Sequence, residues 1–163
     1  MRQRWNALCL LGLGLSSLCY GNERYPTTPD ESLTPGSTCQ HPDSRRYEEQ
    51  IPYCTRNVTS GRKAQIFARY DKELGYETRR MDRYQFKIDH YIPLCMGGSN
   101  DDDNLWPQHK TIYEKTDYVE GLLCELMAKD RMSQADAIVK IRELKADPDH
   151  ANDVLRTIEN LSR

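Results

Sequence analysis

The sequence has few apolar residues and no long apolar run. Hydrophobic residues make up 37% of the 163 residues and the mean hydropathy is -0.83, whereas average globular chains contain roughly 45–50% apolar residues. The apolar stretch at residues 7–15 is much shorter than the roughly 20 residues of a transmembrane helix. The length allows one domain with a small core. An aromatic content of 9%, mostly tyrosine, excludes a disordered tail or a low-complexity linker.

The N-terminal residues differ in character from the rest of the chain. Arg2 and Arg4 precede the apolar stretch, and the chain turns polar after Gly21. This pattern predicts that residues 1–21 are a secretory signal peptide, with an N-terminal membrane anchor as the alternative. The protein is therefore expected to be secreted or periplasmic.

Closely spaced cysteines are absent from the remainder of the chain. Removal of residues 1–21 leaves Cys39, Cys54, Cys95 and Cys124. No two of them have the C-x₂₋₄-C spacing of zinc ligands, which argues against a four-cysteine zinc site. An even number of cysteines in an exported chain favours two disulfides, for which three pairings are possible.

Neither sign of charge is in large excess. The formal net charge is -2, but residues 45–87 contain 11 basic and 6 acidic side chains, whereas residues 88–163 contain 9 and 15. The basic half is the candidate surface for holding a phosphate backbone. A solvated surface of mixed charge is the alternative interpretation.

The first periodic pattern begins at residue 60. Residues 22–59 are interpreted as an extended lead-in, because their prolines, threonines and serines show no apolar period. Apolar residues at helical spacing then predict a helix over 61–74, with Ser60 as its N-cap and Gly75 as its stop. Residues 60–163 are assigned to the folded domain.

Two strands are predicted next. Apolar and polar residues alternate from Tyr84 to Ile88, which predicts a strand whose end carries Asp89 and His90. A loop rich in glycine and aspartate then leads to a short second strand over 104–106, so that the two strands form a hairpin.

Three helices follow the hairpin. Pro107 suits the first turn of a long helix over about 108–129, which carries one apolar stripe. Ser133 and Asp136 form a capping pattern before a second amphipathic helix. A third helix is predicted to restart at Pro148.

The residues suited to catalysis or metal binding are concentrated in the hairpin and its loop. In chain order they are Asp89-His90, Ile92-Pro93, the GGSN loop at 97–100 and Asn104-Leu105. This ordered string resembles the HNH endonucleases, also called the ββα-metal or His-Me finger family, and in particular their bacterial exported branch. The resemblance covers about residues 84–127. It implies an α+β fold in which a small ββα-metal core carries additional helices, here stabilised by disulfides.

The resemblance implies roles for four residues. His90 is the general base, because an imidazole accepts a proton from water near neutral pH. Asp89 and His109 hold one divalent cation, most simply Mg²⁺, which acts on the phosphate and leaving oxygens. Asn104 braces the hairpin through backbone hydrogen bonds. Because neighbouring strand residues point to opposite faces, a distortion at the strand end must bring Asp89 and His90 into one pocket.

The sequence departs from the family pattern at the helical metal ligand. In many relatives this ligand lies further along the helix than His109, which points to Thr111 or Tyr113 in this chain. Gln108 and Glu114 are further candidates for supporting roles.

Substrate binding is predicted for basic residues just before the motif. Arg79, Arg80, Arg83 and Lys87 are placed to hold phosphates, with a surface of mixed charge as the alternative. No helix-turn-helix or zinc-finger pattern is present, which indicates cleavage with little sequence preference. The zinc-ribbon cysteines that brace some HNH domains are also missing.

Disulfides are expected to replace that zinc ribbon. Cys95 follows the first strand and Cys124 lies inside the long helix, so a bridge between them would join hairpin and helix. By elimination, Cys39 pairs with Cys54 and ties down the lead-in.

Together these features predict a secreted, metal-dependent endonuclease that hydrolyses DNA, with RNA as an alternative substrate. The family resemblance implies 5′-phosphate and 3′-hydroxyl products. A non-catalytic secreted module that binds nucleic acid or protein on the same scaffold is the alternative function. No stable membrane association is expected after signal-peptide removal, and no oligomeric state is predicted.

Overall fold

The computed structural model describes residues 24–162, so the predicted signal peptide at residues 1–21 lies outside the described residues. The described chain is a mixed α+β structure, which confirms the predicted class. Its strands are β1 (Ser44–Arg46), β2 (Ile51–Tyr53), β3 (Phe86–His90) and β4 (Leu105–His109). Its α-helices are α1 (Ser60–Leu74), α2 (Lys110–Ala128), α3 (Gln134–Ala146) and α4 (Ala151–Ser162).

The hairpin of β3 and β4 lies at the centre of the fold. Its antiparallel register pairs Phe86 with His109 and His90 with Leu105. α1 covers it from one side, and the buried residues of this first cluster are Ile66, Phe67, Tyr70, Phe86, Ile88, Leu105, Trp106 and Ile112. A second cluster joins α2, α3 and α4 through apolar residues at helical spacing. The end of β3 lies between these two cores.

The second strand is longer than predicted. Pro107 is inside β4, opposite Ile88, and α2 begins only at Lys110. In a two-stranded sheet both strands are edge strands, which tolerate a residue without a backbone N–H. The prediction that Pro107 starts the helix is therefore wrong; His109 is the N-cap, and its ring accepts from the Thr111 N–H.

The start of the first strand also differs from the prediction. Tyr84 was expected in the alternating pattern, but it lies in a short turn before β3 and is 91% exposed. The Asp82 side chain accepts a hydrogen bond from the Tyr84 N–H and so stabilises this turn. The strand begins at Phe86.

Helix boundaries follow the local capping signals closely. α1 ends at Gly75 as predicted, with φ of 76°, a conformation that glycine adopts without strain. Its N-cap is Thr59 rather than Ser60, because the Thr59 hydroxyl accepts from the Arg62 N–H. The predicted Ser133 cap of α3 is confirmed by its bond from the Asp136 N–H.

The segment before α1 contains more structure than an extended lead-in. β1 and β2 form a small antiparallel hairpin, and Thr38 bridges to Gly98 beside the central loop. The buried Thr34 hydroxyl lies 2.7 Å from the Tyr70 hydroxyl and donates to the Leu105 carbonyl at 3.1 Å. These are polar anchors, which produce no apolar period in the sequence.

Both predicted disulfides are present. Cys39 and Cys54 have Cα atoms 5.7 Å apart and are separated by 15 positions in sequence; Cys95 and Cys124 have Cα atoms 5.9 Å apart and are separated by 29. The second bridge ties the loop after β3 to α2. The first holds the lead-in beside that loop.

We expect each disulfide to contribute on the order of 3 kcal/mol to the free energy of unfolding, because it restricts the unfolded chain. The chain-entropy relation predicts a loss about 0.6 kcal/mol larger for Cys95→Ser/Cys124→Ser than for Cys39→Ser/Cys54→Ser, because its loop is longer. Urea unfolding of both double variants measures this. Equal stability of a double variant and the wild type would contradict the prediction.

Candidate functional site

A cavity of about 250 Å³ opens where β3 ends. Its lining residues are Arg46, Tyr53, Arg56, Asp89, His90, Pro93, Leu94, Cys95 and Glu120. Asp89 and His90 therefore face the same space although they are neighbours in a strand. This is possible because β3 stops at His90 and the chain turns away at Pro93.

His90 is held from both ring nitrogens. Its Nδ1 lies 3.2 Å from Arg56 Nη1 and its Nε2 lies 3.1 Å from Asn100 Oδ1. A guanidinium only donates, so Nδ1 accepts and the proton of the neutral ring is on Nε2, donated to Asn100. The Asn100 amide is itself oriented, because its Nδ2 donates to the Thr55 carbonyl at 2.8 Å.

This environment keeps His90 neutral. Burial, together with the nearby Arg56 charge, lowers the pKa of His90 to about 4, although the Asn100 hydrogen bond opposes the shift. At neutral pH the ring thus presents a lone pair at Nδ1, on the side of Arg56. This is the protonation state of a general base.

Asp89 is bound to a buried lysine. Lys145 of α3 is 0% exposed, and its Nζ donates to Asp89 Oδ2 at 2.8 Å and to the His90 carbonyl at 2.6 Å. The same Nζ lies 2.8 Å from Glu120 Oε2 of α2. Lys87 approaches the other Asp89 oxygen at 3.6 Å. One ammonium therefore joins β3, α2 and α3.

The charges in this cluster depend on each other. Burial alone would raise the pKa of Asp89, but the Lys145 and Lys87 charges outweigh it and the pKa is lowered. Burial alone would lower the pKa of Lys145, but the neighbouring carboxylates of Asp89 and Glu120 outweigh it and the pKa is raised. For Glu120 burial dominates and the pKa is raised. The two carboxylates and the ammonium therefore titrate as one coupled group.

The structure does not bring Asp89 and His109 together. Asp89 pairs with Trp106 in the hairpin, so His109 lies three residues further along β4, about 10 Å away. The His109 ring stacks on Tyr25 at 4.0 Å and packs edge-on against Phe86 at 4.9 Å. Burial lowers the pKa of His109.

The other candidates for the helical ligand also lie outside the cavity lining. Tyr113 packs under the Lys87 ammonium, and Glu114 pairs with Lys110. Thr111 contacts Tyr25 and His109, and Gln108 donates to Thr116.

The donor set present does not fit the divalent cation that the resemblance implies. Within residues 24–162, no three His, Cys, Asp or Glu side chains are grouped as metal ligands would be. Asp89 and Glu120 are the two carboxylates of the cavity, and both already face the Lys145 ammonium. A divalent ion on these oxygens would lie next to a fixed positive charge.

The basic residues at the cavity are not the predicted ones. Three of those predicted to bind phosphate point elsewhere: Arg79 pairs with Asp71, Arg80 pairs with Glu77, and Arg83 donates to the Phe86 carbonyl. Lys87 alone among the four lies near Asp89, and it also binds Asp117. Arg46 and Arg56 line the cavity instead.

Sequence reasoning missed Arg46, Arg56, Asn100, Glu120 and Lys145 as residues of this site. Arg56 belongs to the basic half of the chain but falls in the segment interpreted as a lead-in. Lys145 looks like any helix residue, since nothing near it in sequence indicates that it is buried. Asn100 belongs to the GGSN loop of the motif, but the sequence does not show that its side chain contacts the His90 ring.

Asn104 has the contacts expected of a brace. Its Nδ2 donates to the carbonyls of Ile92 and Ser99 at 2.9 Å each, and its Oδ1 accepts from the Ile92 N–H at 2.8 Å. Gly98 lies inside this loop, where an added Cβ would be only 1.8 Å from the Ile92 carbonyl oxygen. The loop therefore fits closely around the residues that follow His90.

Comparison of the chain with protein-family models, with curated proteins and with solved structures gives no match. Along residues 24–162, no helix combines the length and apolar character needed to cross a membrane.

Gly98→Ala is expected to destabilise the fold by at least about 1–3 kcal/mol, because backbone must move to admit the methyl group. Gly121→Ala is the matched control. An added Cβ there meets no atom within 4 Å, so alanine in α2 should be neutral or stabilising by up to about 1 kcal/mol. Chemical denaturation of both variants measures the difference, and equal effects would show that the loop is not tightly packed.

The His90 ring is expected to titrate near pH 4 and to carry its proton on Nε2 at pH 7. Long-range ¹H–¹⁵N NMR spectra recorded from pH 3 to 8 distinguish the two tautomers and give the pKa. The exposed His150 is an internal control, because the Asp147 carboxylate raises its pKa. A His90 pKa near the ordinary 6.5, or a proton on Nδ1, would contradict this description.

Proposed function

We propose that this protein is an endonuclease that hydrolyses phosphodiester bonds of nucleic acid in the Asp89–His90 cavity. The observation that carries the proposal is the contact between His90 Nδ1 and the Arg56 guanidinium. A neutral base and a phosphate-binding cation thus meet at one point of the cavity wall.

Arg56 is suited to hold the scissile phosphate. A guanidinium binds two phosphate oxygens at once, and Arg56 keeps an anchor through its Nη2, which donates to the Ile88 carbonyl at 2.8 Å. Arg46 provides a second guanidinium at the cavity, where it lies over the Tyr53 ring. Two guanidinium groups in the lining of one cavity favour a polyanion over a neutral substrate.

Substrate binding would release the His90 lone pair. When Arg56 Nη1 turns to a phosphate oxygen, Nδ1 becomes free to accept a proton from a water molecule. The water oxygen then bonds to phosphorus, the bond to the 3′-oxygen breaks, and that oxygen takes up a proton from solvent water. His90 returns its own proton to solvent after the reaction. The products are a 5′-phosphate and a 3′-hydroxyl. Asn100 holds the ring in place by accepting from Nε2–H.

Substrate choice follows from the chemistry of the cavity. Phosphate contacts carry no sequence information, so a site that holds its substrate through two arginines bound to phosphates is expected to cleave with little sequence preference. DNA is the proposed substrate and RNA the alternative. The two disulfides are typical of an oxidising compartment, which supports a secreted or periplasmic location.

A second candidate function is a binding module that holds nucleic acid without cutting it. The observation in its favour is that both ring nitrogens of His90 are already hydrogen-bonded and that Asp89 is bound by Lys145. If Arg56 does not leave His90 when phosphate binds, no base is available.

The proposal is tested with supercoiled plasmid, single-stranded DNA and RNA, each in Mg²⁺ and in EDTA. We expect His90→Ala to lower the cleavage rate about 10²–10⁴-fold, the range of a lost general base. Arg56→Ala should weaken substrate binding as well as lower the rate, with partial rescue by Arg56→Lys. Arg156→Ala, an exposed arginine of α4, is the control that should cleave like the wild type.

Cleavage that survives His90→Ala would reject the proposed mechanism. Absence of wild-type cleavage, combined with a gel shift that Arg56→Ala abolishes, would establish the binding module instead.

A further inference from the structure

The least expected feature beside the cavity is a fully buried lysine ammonium, that of Lys145. The ammonium donates to Asp89 Oδ2 and to the His90 carbonyl, and it lies 2.8 Å from Glu120 Oε2 as an ion pair. Three protein oxygens therefore surround the charge, which is the compensation that a buried ammonium requires.

The two carboxylates would otherwise form a plausible cation site. They come from different elements, β3 and α2, and both line the cavity. Glu120 Oε2 is a buried oxygen that receives no well-directed hydrogen bond even with Lys145 nearby, so it retains acceptor capacity. Magnesium commonly uses one or two protein carboxylates, with substrate phosphates and water as the remaining ligands.

The ammonium excludes such an ion. A magnesium ion bound to these oxygens at about 2.0–2.1 Å would be held close to Nζ, which lies 2.8 Å from the same atoms. Lys87, at 3.6 Å from Asp89 Oδ1, adds a second positive charge beside the other oxygen of that carboxylate. The like-charge repulsion in a buried site opposes any divalent ion there.

We propose that Lys145 is a built-in cation in the position of a divalent metal, and that removal of its amine turns Asp89 and Glu120 into a metal-binding pair. The wild-type cavity then contains no resident metal. The metal-binding half of this inference is independent of any catalytic activity. Its consequence for catalysis, that cleavage persists in EDTA, rests on the proposed function.

The decisive experiment is a titration of the protein with Mn²⁺ alone. Electron paramagnetic resonance measures the concentration of free ion, and thermal unfolding measures the effect of the ion on Tm. Wild-type protein is expected to bind no stoichiometric Mn²⁺ and to unfold at the same temperature in Mn²⁺ and in EDTA. Lys145→Ala is expected to be destabilised in EDTA, to bind about one Mn²⁺, and to regain roughly 5–10 °C in Tm when the ion is saturating.

Three further variants make the result specific. Lys145→Ser leaves room for the ion and a water molecule, and serves if Lys145→Ala folds poorly. Lys145→Met removes the charge but fills the space, so it should be destabilised without rescue by Mn²⁺. Adding Glu120→Gln to Lys145→Ala should abolish the new binding, because one of the two carboxylates is lost.

The inference is overturned if wild-type protein binds one Mn²⁺ that Asp89→Asn removes, or if neither Lys145→Ala nor Lys145→Ser binds the ion. It is also overturned if wild-type cleavage occurs but stops in EDTA. If the wild type cleaves no substrate under any condition, the proposed function fails, and the Mn²⁺ titration still decides the role of Lys145.

Discussion

The structure depends on the burial of one ammonium group. Lys145 joins the end of β3, which follows Ile88 of the first apolar cluster, to α2 and α3, which contribute to the second. Removing three charged groups from water is unfavourable unless each finds partners, and here the lysine supplies them for both carboxylates. The same ammonium binds the His90 carbonyl, so an electrostatic contact helps to hold the strand end that carries the imidazole.

The imidazole depends on a second set of contacts from the opposite side. Arg56 and Asn100 hold its two nitrogens, and Asn104 holds the backbone that follows it. Arg56 is only two residues after Cys54, so the Cys39–Cys54 disulfide also limits where the guanidinium can lie. The segment before α1 therefore contributes a side chain to the site and is more than an extended lead-in.

Local patterns predicted the regular elements well, and they failed where a long-range contact decided the outcome. The helix ending at Gly75 and the cap at Ser133 are set by neighbours within one turn, so sequence reveals them. Pro107 looks like a helix start, but pairing with β3 keeps it in a strand. The position of His109 also depends on a long-range contact. The register of the hairpin places its ring against Tyr25 and away from Asp89.

By itself the sequence determined the α+β class, the approximate positions of the helices and the Asp89–His90 doublet, because periodicity and capping act over short distances. It predicted the disulfide pairs only through the predicted placement of Cys95 after a strand and Cys124 in a helix. Tertiary structure alone decided which cations meet that doublet. Arg56 is 34 residues from His90 and Lys145 is 56 residues from Asp89. No local pattern distinguishes them from solvated arginines and lysines, since their role arises only when folding excludes water from around them.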